Sequence, residues 1–175
     1  IKKIAQERNA PLILAKEYRD VQFNYLRGKF QQQNKDIALT AINTLKKLHK
    51  IKINEKQITA GIKKTKWHGR MEFISRNVLA DCAHNPDGFR MLKEELETIK
   101  KEKNTENLIF VIGVQKDKDA VNMLKIISPL ALSIIFTKSK NEKASNPQEL
   151  LRIFRKISKN KSIKTWKFCE CPKKK

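Results

Sequence analysis

The sequence predicts an α/β fold, a mostly parallel sheet flanked by helices and preceded by a helical segment. Three observations carry that. Beyond residue 70, apolar runs alternate with amphipathic stretches at least three times. One of the runs, LIFVIGV at 108–114, is unbroken, as strands buried on both faces are, and LSIIFT at 132–137 reads as a second buried strand. Before residue 67 the apolar residues recur mainly at helical spacing.

Taken in order, Pro11-Leu12-Ile13-Leu14 suits a short strand. Residues 19–30 are irregular, with Phe23, Tyr25, Leu26 and Phe30 as expected core contacts. Ile37, Ala38, Ala41, Ile42, Leu45 and Leu48 mark a helix, opened by Asn34, a good N-cap. Asn54 with Gln57 three residues on is a capping-box pattern, and Ile58 and Ile62 form the buried side of the helix it starts. Residues 63–66 lack apolar anchors and read as a linker. Residues 70–75 (RMEFIS) alternate as a strand does, and residues 77–83 (NVLADCA) form an apolar run. Asn85-Pro86 pairs a cap with a first-turn proline, and Phe89, Met91, Leu92, Leu96 and Ile99 give the helix its stripe. Val121, Met123, Leu124, Ile126 and Ile127 make the next helix, stopped by Pro129. Asn146-Pro147 opens another, through Leu150, Leu151, Ile153, Phe154 and Ile157, and residues 162–168 (SIKTWKF) are the last strand.

Strand–helix alternation implies a parallel sheet covered by helices. Ligands of such sheets bind at the carboxyl ends of the strands. That rule puts residues 81–85, 115–119 and 137–144 on one edge.

Composition narrows the function classes. A chain of 175 residues with 39% hydrophobic content can bury one ordinary core and part of another. No apolar run approaches the roughly 20 residues of a membrane span, so no membrane partner is expected. Three cysteines, Cys82, Cys169 and Cys171, make no disulfide framework and fit a reducing, cytoplasmic setting. Cys169 and Cys171 form a C-x-C pair without further ligands, so no metal site is read there. The net charge of +21 invites a polyanion reading. However, 31 of the 39 basic residues are lysine, they are spread over nearly every segment, and aromatics do not cluster with them. Nucleic-acid readers favour arginine and stacking aromatics, so no specific nucleic-acid partner is expected. Lys173 to Lys175 read as a tail.

The loop DCAHNPDG at 81–88 gathers an acid, a thiol, an imidazole and a carboxamide. With WHGRMEF at 67–73 before it and VIGVQKDKD at 111–119 after it, it resembles the C-terminal domain of the folylpolyglutamate synthase / dihydrofolate synthase family, within the Mur ligase superfamily. The family pattern reads W-P-G-R-x-E, D-G-A-H-N-P-x-G, then a strand ending in Gly and a D-K-D loop. Upstream, Gly28 to Asn34 followed by Ala38 is similar to the stretch G-x-H-Q-x-x-N-A that closes the family's ATPase domain. Downstream, Lys143-Ala144-Ser145 and Pro147 to Leu150 resemble R-A-x-x-P-x-x-L. The ordered set covers roughly residues 1–160.

The resemblance implies a division into residues 1–66, the tail of an incomplete P-loop ATPase domain, and residues 67–175, a Rossmann-like lid lacking its last strands. It implies an ATP- and Mg²⁺-dependent ligase that joins L-glutamate to a folate or pteroate carboxylate through an acyl phosphate, as a monomer when intact. It implies nucleotide contacts from Asn34, Arg70, Asp81 and Asn85. His84 lines the same pocket, and Lys118 is a candidate for neutralising charge near the transferred phosphoryl group. Each has a plainer structural reading: Asp81, Asn85 and Asn34 as caps, Arg70 as a surface ion pair, His84 as a loop histidine, Lys118 as a solvated lysine. Departures from the pattern are Cys82 for glycine, Phe30 for histidine, His68 for proline and Lys143 for arginine. No G-x-x-x-x-G-K-[ST] occurs, so this chain is expected to be a fragment that does not turn over alone, with most metal ligands elsewhere. Two alternatives stand beside this: the lid of a cell-wall-type Mur ligase, and a basic module for RNA or another polyanion.

Overall fold

The computed structural model describes residues 1–158 and 163–167, and the chain divides into two compact units, Ile1–Asp81 and Cys82–Lys175. The first contains α1 (Lys2–Glu7), α2 (Lys29–Lys47), α3 (Glu55–Lys64), β1 (Glu72–Ser75) and β2 (Val78–Ala80). The second contains α4 (Pro86–Glu102), β3 (Leu108–Ile112), α5 (Ala120–Ile127), β4 (Ala131–Phe136), α6 (Pro147–Ile157) and β5 (Lys164–Lys167). Cys169, Cys171 and Lys173 to Lys175 lie outside the described residues. No helix among the described residues is long and apolar enough to cross a membrane.

In the first unit the core is Leu39, Ile58 and Ile62, with Tyr18, Val21, Phe23, Ile42 and Ile53 packed on it. The expected capping box is present: Asn54 accepts from the Gln57 N–H, and Gln57 returns a bond to the Asn54 N–H, both at 2.9 Å. The expectation for α2 needs correction. The helix starts at Lys29, so Asn34 lies inside it and caps nothing. Its buried side is mainly polar, comprising Gln31, Lys35, Asp36, Leu39 and Thr40, while Ile37, Leu45 and Leu48 are exposed. The cause is the irregular segment 16–21, which α2 holds through side chains. Thr40 Oγ1 accepts from Lys16 N at 3.0 Å, and Asp36 Oδ1 from Tyr18 N at 3.1 Å. The fully buried Lys35 ammonium donates to the carbonyls of Tyr18 and Val21, and Gln32 Nε2 adds a bond to Tyr18 O. Main-chain groups without a ladder must find such partners. Residues 11–14 form no strand, and Leu12, Ile13 and Leu14 are exposed, as is Tyr25.

Residues 77–83 also depart from expectation. β2 does not join the parallel sheet; it pairs antiparallel with β1, Phe73 opposite Leu79. Only Arg76 and Asn77 separate the strands, and a connection that short closes a hairpin, whereas a parallel crossover needs a dozen residues or more.

The second unit is the Rossmann-like part: a three-stranded parallel sheet in the order β3-β4-β5 with helices against it. Ile112, Ile134 and Phe136 are buried on the helix side, and Phe154 of α6 meets Phe136 with ring centroids 5.9 Å apart. α5 packs between α4 and α6. The helices start where expected, capped by Asn85, Asp119 and Asn146, and α5 ends just before Pro129. β3 is not buried on both faces: Ile109 and Val111 are 64% and 66% exposed, and Trp166 of β5 is 60% exposed. Among the described residues the helices cover one face, so the strand alternates despite its unbroken apolar sequence.

Candidate functional site

In the first unit the segment His68-Gly69-Arg70-Met71-Glu72 forms a tight turn. Gly69 and Met71 both have positive φ, 72° and 47°; such a conformation is costly for a non-glycine residue. Two carboxylates hold it. Glu72 Oε2 accepts from the Gly69 N–H at 2.8 Å, and Oε1 lies 2.8 Å from His68 Nδ1. The Gly69 N–H, and after it His68, hold the Glu72 carboxyl below its ordinary range. Asp81 Oδ2 accepts from the N–H of the buried Met71 at 3.0 Å. Arg70 is thereby fixed at an exposed tip, one residue from the amide that Asp81 grips. Among the described residues its guanidinium has no ion-pair partner.

Asn34 is exposed on α2, its Nδ2 donating to Gln31 Oε1 at 3.0 Å. The helix start before it depends on Gly28, at φ 108°, where a Cβ would fall 2.6 Å from Phe30 Cε1. Arg27 sits over the Phe73 ring at 5.3 Å.

In the second unit, His84 is exposed and its Nδ1 lies 3.1 Å from Cys82 O. A carbonyl only accepts, so that bond makes Nδ1 the donor and leaves the lone pair of the neutral ring on Nε2. Asn85 caps α4, accepting from the Gly88 N–H at 2.7 Å. Gly88 allows this close turn, since a Cβ there would meet Asn85 Oδ1 at 3.2 Å and Ala83 Cβ at 3.3 Å.

The loops after β3 and β4 lie side by side, as the carboxyl-edge rule requires. Thr137 N bonds Ile112 O at 2.9 Å, Ser145 N bonds Val114 O at 2.8 Å, and Lys116 N bonds Lys143 O at 2.8 Å. Gln115 and Ala144 form an antiparallel bridge. Gly113 permits the approach, because a Cβ there would lie 3.2 Å from Thr137 O. Lys118 is paired with Asp117 at 3.0 Å, and this neighbour lowers the Asp117 carboxyl. Asp119 caps α5 and is lowered chiefly by the Asn122 N–H. Two cavities of about 300 Å³ open here, one between Lys116, Lys118 and Ser145, the other between Lys116, Lys138 and Lys140. Lys116, Lys138, Lys140 and Gly113 were not among the expected site residues. The signal available was the lysine spacing of the two loops, hidden in a chain where lysine is everywhere.

The residues fit a nucleotide in part. A free guanidinium suits a phosphate, and a carboxylate at a strand end suits ribose hydroxyls. Among the described residues no group of three or more His, Cys, Asp or Glu side chains could hold a metal.

Comparison with known proteins agrees with this architecture. The chain is 29% identical over 135 residues to a dihydrofolate synthase/folylpolyglutamate synthase of Bacillus subtilis, covering 76% of this chain but 30% of that relative. Among solved structures it is similar to Escherichia coli FolC in complex with DHPP and ADP (TM-score 0.73, 18% identity, 96% of this chain and 41% of that one). It is also similar to a bifunctional folylpolyglutamate synthase/dihydrofolate synthase with Mn, AMPPNP and L-glutamate bound (TM-score 0.67, 16% identity, 95% and 41%). The chain thus spans well under half the length of these relatives. The sequence model of the Mur ligase glutamate ligase domain matches residues 69–170. With more than half of its residues in that match, the chain belongs to the Mur ligase family and carries its glutamate ligase domain.

Proposed function

We propose that this chain is part of a cytoplasmic, ATP-dependent ligase that joins L-glutamate to a folate or pteroate carboxylate. The single observation that carries this reading is the latch of the 68–72 turn, in which Asp81 grips Met71 beside Arg70, a residue with no ion-pair partner among the described residues. In the proposed reaction the acceptor carboxylate takes the terminal phosphoryl group of ATP, and the glutamate amine displaces phosphate from the acyl phosphate to form the amide. ATP with Mg²⁺ supplies the phosphoryl group and neutralises its charge.

This chain's residues would bind and orient. Arg70 offers two parallel N–H donors to a phosphate. Asp81 accepts from ribose hydroxyls. Asn34 presents a carboxamide for a base edge or a phosphate. Asn85 fixes the loop that carries His84, whose Nε2 lone pair can take a proton from the incoming amine. Lys118, tied to Asp117, contributes positive charge at the sheet edge. Residues 67–175 would act as the nucleotide-closing lid and residues 1–66 as the end of the ATPase domain. The Mg²⁺ ligands would lie mostly outside this chain, and the whole enzyme would be a monomer.

The test joins this chain to the rest of a ligase by placing it in the matching segment of the Bacillus subtilis relative. The reading expects ADP release that requires both glutamate and a folate or pteroate acceptor. No release with any such acceptor, from a folded protein, would count against it. The 175-residue chain alone should release no ADP.

A further inference from the structure

Two contacts between a cation and a ring bracket the turn that carries Arg70. Just after the turn, Arg27 sits over the Phe73 ring at 5.3 Å, and just before it the Lys66 ammonium lies 5.8 Å from the centre of the Tyr25 ring. Both distances fall within the ~6 Å over which an aromatic face attracts a cation. Among the described residues neither Arg27 nor Lys66 has an ion-pair partner. The 25–27 segment supplies the cation in one contact and the ring in the other. All four residues belong to one compact unit, Ile1–Asp81.

The 25–27 segment is itself fixed. Leu26 is half-buried, Gly28 follows at φ 108°, and α2 starts at the next residue. On the other side, Phe73 is half-buried, stands opposite Leu79 in the hairpin, and directly follows the Glu72 that holds Gly69. The Arg27–Phe73 contact therefore joins the start of the helix bearing Asn34 to the strand that continues the Arg70 turn. The bonds from Glu72 and Asp81 are local to residues 68–81. They shape the turn but do not set it against α2.

We infer that Arg27 and Phe73 are positioning residues. The guanidinium on the ring sets the Arg70 turn against the start of α2, where Arg70 meets phosphate. Lys66 and Tyr25 add a second, longer contact. The role of Arg70 rests on the ligase reading above; the positioning is read without turnover.

An arginine stem also covers apolar surface, so the test must separate charge from stem. Methionine at 27 keeps an apolar stem without the charge, and lysine keeps the charge. Leucine at 73 keeps apolar bulk without the π face, and tyrosine keeps the ring. The experiment is a double-mutant cycle of R27M and F73L. It is read by amide hydrogen exchange of Gly69 and Met71 in the 175-residue chain, with Ile58 and Ile62 as the reference. Each single variant is expected to speed Gly69 and Met71 exchange about threefold, the size of one exposed cation–π contact. The double variant should exchange no faster than either single, because all three lose the same contact. R27K and F73Y should stay close to the parent.

The same variants are placed in the polypeptide combining this chain with the Bacillus subtilis relative. There R27M and F73L should raise the KM for ATP about threefold with kcat unchanged, and R27K and F73Y should restore it. Effects multiplying to about ninefold in the double variant would mean that the two side chains act separately, and would overturn the inference. So would unchanged exchange in both singles. Faster exchange with an unchanged KM for ATP would make the contact merely structural and overturn it too. R27M alters an exposed side chain, so R27M against R27K decides the matter should F73L fail to fold. If the parent combination releases no ADP, the ligase reading fails, and the exchange cycle decides this inference alone.

Discussion

Asp81→Ala removes the acceptor for the Met71 N–H. Met71 is 1% exposed and held at φ 47°, so water cannot readily replace the lost partner. A buried donor left unpaired costs about 1–3 kcal/mol. Asp81→Asn keeps an oxygen in place but loses the charge, and charged hydrogen bonds exceed neutral ones by about 1 kcal/mol. The local opening free energy around Met71 should therefore fall by about 2 kcal/mol in the alanine variant and about 1 kcal/mol in the asparagine variant. Amide hydrogen exchange reads this directly. Those values correspond to Met71 exchange about 30-fold and about 5-fold faster than in the parent. The amides of Ile58 and Ile62, in the core of α3, serve as the internal reference. Unchanged Met71 exchange in Asp81→Ala would refute the latch. So would equal acceleration at all three amides, which would mean general destabilisation.

Other consequences follow from the same geometry. Lys35→Met leaves Val21 O without its ammonium donor, while Tyr18 O keeps Gln32; urea denaturation should show a loss of about 1–3 kcal/mol. Gly113→Ala sets a methyl group against Thr137 O; it should cost about 1–3 kcal/mol by overpacking and lower the thermal midpoint read by Trp166 in the same sheet. Glu72 has its carboxyl lowered in the fold, so the folded state binds fewer protons than the unfolded one. Its contribution is present above the ordinary value of about 4.3 and fades as pH falls through the lowered one. Gly69 amide protection should drop over that acid range, and Glu72→Gln should remove the pH dependence.

Much of the fold was legible because its signals are local. The caps Asn54, Asn85 and Asn146 satisfy the helix ends they begin, and Pro129 stops α5 where its missing N–H requires. Tertiary choices were not legible. The buried side of α2 is decided by main-chain groups of residues 16–21, which ask for Lys35, Asp36 and Thr40, and apolar periodicity cannot register that demand. β2 was misplaced because NVLADCA looks like a buried parallel strand, although the two-residue link through Arg76 and Asn77 was there to be read. β3 shows the converse limit, since an unbroken apolar run does not say whether a second layer covers it.

The candidate site was legible as residue types in order, and the structure adds their mechanics. The pattern pointed to Arg70 and Asp81 but not to the Met71 amide that joins them, which needs two left-handed residues in a five-residue turn. Asn85 and Gly88 act as a pair because the cap and the close approach to Ala83 share one turn. The lysines of the β3 and β4 loops escaped notice because their juxtaposition depends on strand register.

The central claim, that Arg70 beside the Asp81 latch grips the nucleotide of a glutamate ligase, is tested most directly by the KM for ATP. It is measured as glutamate-dependent ADP release by the polypeptide combining this chain with the Bacillus subtilis relative. Arg70→Ala should raise that KM about tenfold or more, the loss of one charge-assisted phosphate contact, while Lys64→Ala on the end of α3 should leave it unchanged. Equal KM values in all three proteins would contradict the account.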